Sequence, residues 1–301
     1  MQNSWAGIFP AVTTKFKADF SLDIAAMEKH FSAQIKAGVH GLIVVGSLGE
    51  NGTLTAEEKL IVMETALRVA KNRVPVLAGV AESTTAEACH FVEHAEKRGA
   101  DGYMVMPPMR YVSDTRETLT WFRSIAAATS RNIMIYNNPV SYGVDVTPAM
   151  FAELADEKKF VAIKESSDDV RRVTQIINVT GNRYQIFCGV DNLALEALHM
   201  GATGWVAGLV DAFPQETVAI YECFRSGELH QAREIYRWFQ PLLDLDVSSK
   251  LVQNIKLAES LTGLGTETVR PPRLPLTGKE REKVIKIIEA ALGTRPRLQA
   301  A

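Results

Sequence analysis

Residues 75–106 read PVLAGVAESTTAEACHFVEHAEKRGADGYMVM, and this stretch decides the fold. A short apolar run, Pro75–Val80, is followed by Thr84–Arg98, whose apolar residues recur at helical spacing until Gly99 stops the helix. A second apolar run, Gly102–Met106, begins at once. Neither run alternates apolar with polar, as expected of strands covered on both faces. The order strand, helix, strand is the unit of a parallel sheet.

The same unit recurs on both sides. Strand candidates are Gly7–Val12, Gly41–Gly46, Pro75–Val80, Gly102–Met106, Ile133–Tyr136, Phe160–Lys164, Tyr184–Gly189 and Gly204–Ala207, with a helical segment between each pair. Thr55 and Glu58 form a capping-box pattern ahead of the apolar positions Leu60, Ile61, Met63 and Leu67. Ala37-Gly38, Arg98-Gly99-Ala100 and His199-Met200-Gly201 each close a helix just before a strand. Eight such units in about 210 residues predict an α/β fold of the closed (β/α)8 TIM-barrel type, which typically needs ~200–250 residues. An open doubly wound sheet is the alternative, but no Gly-rich nucleotide turn follows Val12. After Ala207 the strands stop, and Gln215–Phe224, Glu228–Leu243, Lys250–Leu261 and Gly278–Leu292 read as helices. The expected division is a barrel over 1–225, a C-terminal helical appendage over 226–292 and a loose tail over 293–301.

Composition removes several function classes. The chain has 301 residues, 47% hydrophobic and 23% charged, with a net charge of -2. That balance argues against nucleic-acid binding, which needs clustered Lys and Arg. The longest apolar runs are far shorter than a bilayer span, so no membrane partner is expected. Met1-Gln2-Asn3-Ser4-Trp5 has neither a basic region nor an apolar signal core. Three widely spaced cysteines, Cys89, Cys188 and Cys223, read as free thiols in a reducing cytoplasm.

In a barrel of this kind the active site lies at the C-terminal strand ends. Strand two ends in Gly46-Ser47-Leu48-Gly49-Glu50, strand five in Tyr136-Asn137-Asn138-Pro139, strand six in Ile163-Lys164-Glu165 and strand seven in Cys188-Gly189-Val190-Asp191. Lys164 closes a strand that should be buried, and desolvation lowers a lysine pKa and frees the amine that attacks a carbonyl. By position alone it could equally be a structural lysine paired with Glu165 or Asp168, or one exposed at the strand end. Tyr136 stands at the same height one strand away, where a phenol can shuttle protons, or simply pack. The turn Gly46–Glu50 offers the Ser47 and Leu48 amides and the Ser47 hydroxyl to a carboxylate, or is a plain βα connection.

Together these motifs, in this order and spacing, resemble the dihydrodipicolinate synthase / N-acetylneuraminate lyase family over about residues 5–295. The resemblance implies a (β/α)8 barrel, a homotetramer, and Schiff-base chemistry on small 2-oxo acids with no metal or organic cofactor. It places Lys164 on the nucleophile, Tyr136 on the proton relay, Ser47 and Leu48 on the carboxylate-binding turn, and Gly189, Asp191 and Val206 on the pocket lining. Departures bear on the substrate. Synthases of the family carry a second hydroxyl residue where this chain has Leu48, a Tyr-Tyr pair where it has Pro108-Met109, and an Arg where it has Ser141. Sialic acid lyases carry Thr at Leu48 and Ser at Gly208. The relay is therefore expected to lack a tyrosine.

Tyr136–Gly143, together with Lys164–Asp169, looks like members that deaminate 1-pyrroline-4-hydroxy-2-carboxylate. Asn138 and Ser141 would be neutral donors to its hydroxylated ring. A dehydratase or aldolase acting on a 2-oxo-3-deoxy sugar acid, dihydrodipicolinate synthase itself, and a non-catalytic 2-oxo-acid sensor are the alternatives. A metal-dependent aldolase would need histidines at strand ends, and none is there. His90 and His94 flank Glu93 on an outer helix and are read as a solvated face. Glu50 is expected to brace its loop.

Overall fold

The computed structural model describes residues 5–298. Eight parallel strands form one sheet: β1 (Gly7–Pro10), β2 (Leu42–Val44), β3 (Val76–Val80), β4 (Gly102–Val105), β5 (Asn132–Asn137), β6 (Phe160–Glu165), β7 (Gln185–Cys188) and β8 (Gly204–Ala207). The order runs β1-β8-β7-β6-β5-β4-β3-β2. A parallel bridge from Ala11 to Ile43, with Val12 N donating to Ile43 O at 3.0 Å, joins the two ends of the sheet. The chain is the expected (β/α)8 barrel.

Local chemistry sets the helix starts. Thr55 with Glu58, Thr84 with Glu87, and Asp114 with Glu117 form three successive reciprocal capping boxes. Each satisfies amides that the first helical turn leaves free. Gly38, Gly99 and Gly201 end helices at φ of 94°, 96° and 106°, a conformation that a side chain disfavours. Strand residues are buried almost without exception, as the uninterrupted apolar runs require.

Beyond β8 come the helices Pro214–Arg225, Leu229–Leu243, Leu251–Thr262 and Gly278–Gly293. They are bound to the barrel by charge as well as by packing. Lys256, wholly buried, pairs with Glu50 in the turn after β2. Arg270 forks onto Glu58 at 2.8 and 2.9 Å and donates to the Thr53 carbonyl. Glu50 thus braces its loop from both sides, since its other oxygen accepts from Arg270 N at 3.0 Å. In the segment 293–301, read as a tail, Arg295 pairs with Glu216; its last three residues lie outside the described ones. Among the described residues no helix is long and apolar enough to cross a membrane.

Candidate active site

Strand pairing brings the two sharpest residues together. Tyr136 on β5 is in register with Lys164 on β6. The Lys164 Nζ lies 4.1 Å from the centre of the Tyr136 ring. Both side chains are buried. Among the described residues no hydrogen bond or ion pair holds the Lys164 ammonium, so burial dominates and lowers its pKa, against the opposing pull of Tyr142, Asp246 and Asp191. Neither Glu165 nor Asp168, the partners weighed from sequence, is its counter-ion. Glu165 instead takes Asn137 Nδ2 and the Ser167 amide, at 3.1 and 2.7 Å.

Gly189 explains how the lysine reaches its place. A Cβ there would stand 2.5 Å from Lys164 Cε and 2.0 Å from Ser166 Oγ, so the lysine stem lies directly on the β7 backbone. Asp191, two residues on, is fully buried and saturated. It accepts from Trp205 Nε1 at 2.8 Å, from Gly208 N at 3.1 Å and from Leu209 N at 2.8 Å. Val206 is buried within β8.

The turn after β2 is strained. Val45 has φ of 51° and Glu50 φ of 58°, unusual for residues with a Cβ and costly for a β-branched one. Gly79 makes the bend possible: a Cβ there would meet the Val45 carbonyl at 2.7 Å. The turn ends with Asn51 Nδ2 on Val45 O at 2.8 Å. Among the described residues no group takes up the amides of Ser47 and Leu48, and they remain free to bind an anion. Leu48 itself is buried.

Tyr142 is the residue that sequence reasoning missed. Its hydroxyl hydrogen-bonds the Ser47 hydroxyl. Its ring meets Tyr136 edge-on, 5.6 Å between centres at 89°. A short helix, Pro139–Tyr142, puts it there. Asn138 caps that helix by accepting from Ser141 N at 2.9 Å, and its amide donates to Tyr136 Oη at 3.0 Å. The signal was present, an Asn followed by Pro at a helix start, but four residues were too few to read as a helix. Pro108-Met109 carries no tyrosine, and the phenol that meets Ser47 within this chain is that of Tyr142. Burial pushes the phenol pKa of Tyr136 and of Tyr142 up, so both carry a proton to give. Ser141 is exposed and takes no part in the contacts joining Ser47, Tyr142, Tyr136 and Lys164.

Asp246 was also missed. It lies between the helices Leu229–Leu243 and Leu251–Thr262, far along the chain from any strand, and no local pattern marks it.

Two other features stay outside this chemistry. His90 and His94 pack with tilted rings on an outer helix, 3.9 Å between ring centres, and line a surface groove of about 840 Å³ with Lys59, Glu82 and Arg110. His30, Asp211 and Glu259 form a buried acid–imidazole cluster. There Lys15 Nζ, 2.6 Å from Glu259, already supplies the cation. Burial holds His30 down to about 3, so its imidazole is neutral.

The arrangement can form an imine. A desolvated amine, a phenol in register with it and a second hydroxyl pair leading to an anion-binding turn suit attack on the C2 carbon of a 2-oxo acid. Comparison with known proteins agrees. The profile of the Dihydrodipicolinate synthetase family matches residues 4–291. The 4-hydroxy-tetrahydrodipicolinate synthase of Methanothrix thermoacetophila is 31% identical over 94% of this chain and 95% of its own. That of Methanoculleus marisnigri is 33% identical over 94% and 98%. Among solved structures, Escherichia coli K12 YagE, a prophage protein of the dihydrodipicolinic acid synthase family in complex with pyruvate, superposes with a TM-score of 0.90 at 29% identity, covering 96% of this chain and 99% of its own. A monomeric dihydrodipicolinate synthase variant gives 0.89 at 27%, covering 96% of each chain. The chain belongs to the dihydrodipicolinate synthetase family and, with it, to the class I lyases.

Proposed function

We propose that this enzyme binds a small 2-oxo or cyclic 2-imino acid as a Schiff base on Lys164, and that its substrate is 1-pyrroline-4-hydroxy-2-carboxylate, which it deaminates to 2-oxoglutarate semialdehyde. The observation that carries the substrate reading is that no arginine of the described residues is among the groups acting on Lys164. Those groups are Tyr142, Asp246, Asp191 and Cys188. Such a pocket leaves the second carboxylate that an aspartate-semialdehyde substrate brings without a cation to pair with. It suits a substrate with one carboxylate, for the Ser47–Leu48 turn, and an amine released on ring opening. In this reading Tyr136 protonates the ring nitrogen as Lys164 adds to C2 and the C–N bond opens. Asn138 orients Tyr136, and Ser47 with Tyr142 connects it to the carboxylate end. Ser141, Gly189, Asp191 and Val206 shape the remaining wall. The same adduct serves a 2-oxo-3-deoxy sugar acid, which also has one carboxylate and several hydroxyls.

The test is borohydride reduction in the presence of pyruvate and a panel of 2-oxo acids, then peptide mass mapping, beside kcat/KM for each candidate at one pH. The expected result is a reduced adduct on Lys164 and the highest kcat/KM, with ammonia release, for the hydroxypyrroline acid. An adduct on another lysine would overturn the mechanism. Dihydrodipicolinate formation as the dominant activity would overturn the substrate, and cleavage of a 2-oxo-3-deoxy acid would overturn only the deaminase part. The free cysteines suit a cytoplasmic enzyme. The expected assembly is a homotetramer, checked by sedimentation equilibrium.

A further inference from the structure

Two carboxyl groups stand beside Lys164, and they differ in what they have left to offer. Asp191 is spent on Trp205 and on the amides that follow β8. Asp246 has no side-chain hydrogen bond or ion pair among the described residues and is half-buried. Its own amide closes a turn onto Leu243 O at 3.0 Å, which fixes its backbone. From there the carboxyl reaches over the end of β8. A Cβ on Gly208 would stand 2.4 Å from Asp246 Oδ1 and 3.0 Å from its Cγ. Gly208 therefore clears the space that Asp246 fills.

We propose that Asp246 contacts the substituent on the fourth carbon of the Lys164-bound substrate and protonates it as it leaves. This rests on the Schiff-base reading given above and adds the acid which that reading lacks. The carboxylate turn and the two tyrosines come from the connections after β2 and β5, whereas Asp246 covers the end of β8. One set of groups faces C1 and C2, the other the far carbons. Two neighbouring carboxyls do not both ionise cheaply. Burial raises both, but at Asp191 the donors Leu209 N, Gly208 N and Trp205 Nε1 oppose it, whereas Asp246 has no such donor among the described residues, and burial together with Asp191 pushes it well above the usual carboxylate range. That favours Asp246 in its protonated form.

The step balances. Tyr136, left as phenolate after protonating the atom expelled from C2, takes the C3 proton, and the electron pair moves to form C3=C4. The C4–O bond breaks, the oxygen receives the Asp246 proton, and water departs. Asp246 is left as a carboxylate beside the Lys164 iminium and regains its proton from solvent before the next turnover.

The experiment compares the full-length wild type with Asp246→Asn in two assays. Deuterium exchange into the methyl group of pyruvate reads imine formation and C3 deprotonation alone. Turnover of 1-pyrroline-4-hydroxy-2-carboxylate and of a 2-oxo-3-deoxy sugar acid reads loss of the C4 hydroxyl. The expected result is a fall in turnover of at least ~10²-fold, the range for losing a positioned acid, against less than about tenfold in exchange. Gly208→Ala, which displaces the carboxyl without removing it, should lower turnover by up to about 100-fold with the same split. Equal losses in both assays would mean that Asp246 acts through Lys164, and would overturn the proposal. Unchanged turnover, or a wild type that exchanges pyruvate but eliminates no 4-hydroxy substrate, would overturn it too. A wild type that forms no adduct on Lys164 would instead remove the Schiff-base reading itself.

Discussion

Lys164 sits where a positive charge is penalised, and that penalty fixes its pH behaviour. The folded protein favours the free amine, so its pKa lies below the ordinary lysine value of 10.5. Adduct formation with pyruvate should rise with pH through a midpoint below that value, measured as the initial rate of reductive trapping between pH 6 and 10. A midpoint at or above 10.5 would mean the amine is not desolvated. The two tyrosines separate by position. Tyr136→Phe removes the phenol in register with the lysine and should slow turnover by roughly 10²–10⁴ while the variant stays folded. Tyr142→Phe keeps the ring against Tyr136 but deletes the hydroxyl on Ser47, so kcat should fall with a smaller effect on the melting temperature. If Tyr142→Phe retains wild-type kcat, the Ser47–Tyr142 pair is packing and protons move by another route.

Elements place these residues, and the elements differ in how plainly the sequence announces them. All eight strands were legible, because each is a short buried apolar run, and several follow directly on a glycine that stops a helix. The long helices were legible for the complementary reason, their 3.6-residue spacing and caps. What failed was short or distant. Pro139–Tyr142 is one turn of helix and has no periodicity to detect. Asp246 takes its meaning from Gly208, reached only through the folded chain. The strained turn after β2 lies between these cases: its glycines are visible in the sequence, but the φ of 51° at Val45 is not. Gly79 tests that turn. An added methyl at 2.7 Å from the Val45 carbonyl and 2.9 Å from Gly46 Cα meets backbone, which has little room to move. Gly79→Ala should cost about 1–3 kcal/mol by overpacking, read by urea denaturation. It should also raise KM for the 2-oxo acid, because the Ser47 and Leu48 amides move with the turn. A stable variant with normal KM would mean that the bend does not depend on this contact.

For the whole molecule, the question is whether residues 226–292 are an appendage to the barrel or part of its stability unit. Asp246 supplies a group to the mouth of the barrel, and Lys256 buries its ammonium against Glu50, 206 residues away in the chain. Both ions of that pair are inaccessible to solvent. Taking one partner away strands the other charge, a loss of about 3–5 kcal/mol, whereas replacing both with neutral groups of similar size is often close to neutral. Lys256→Ala should therefore lower the unfolding free energy by about that amount, and Glu50→Gln combined with Lys256→Met should recover most of it. In a variant whose Trp5, Trp121 and Trp205 are replaced by phenylalanine, the fluorescence of Trp238 should report the C-terminal region, while far-ultraviolet circular dichroism follows the secondary structure of the whole chain. Because the buried pair joins the C-terminal region to the barrel, the two transitions should coincide while that pair is intact. Separate transitions, with Lys256→Ala shifting only the fluorescence one, would mean that the C-terminal helices unfold on their own and that the turn beneath Ser47 keeps its shape without them.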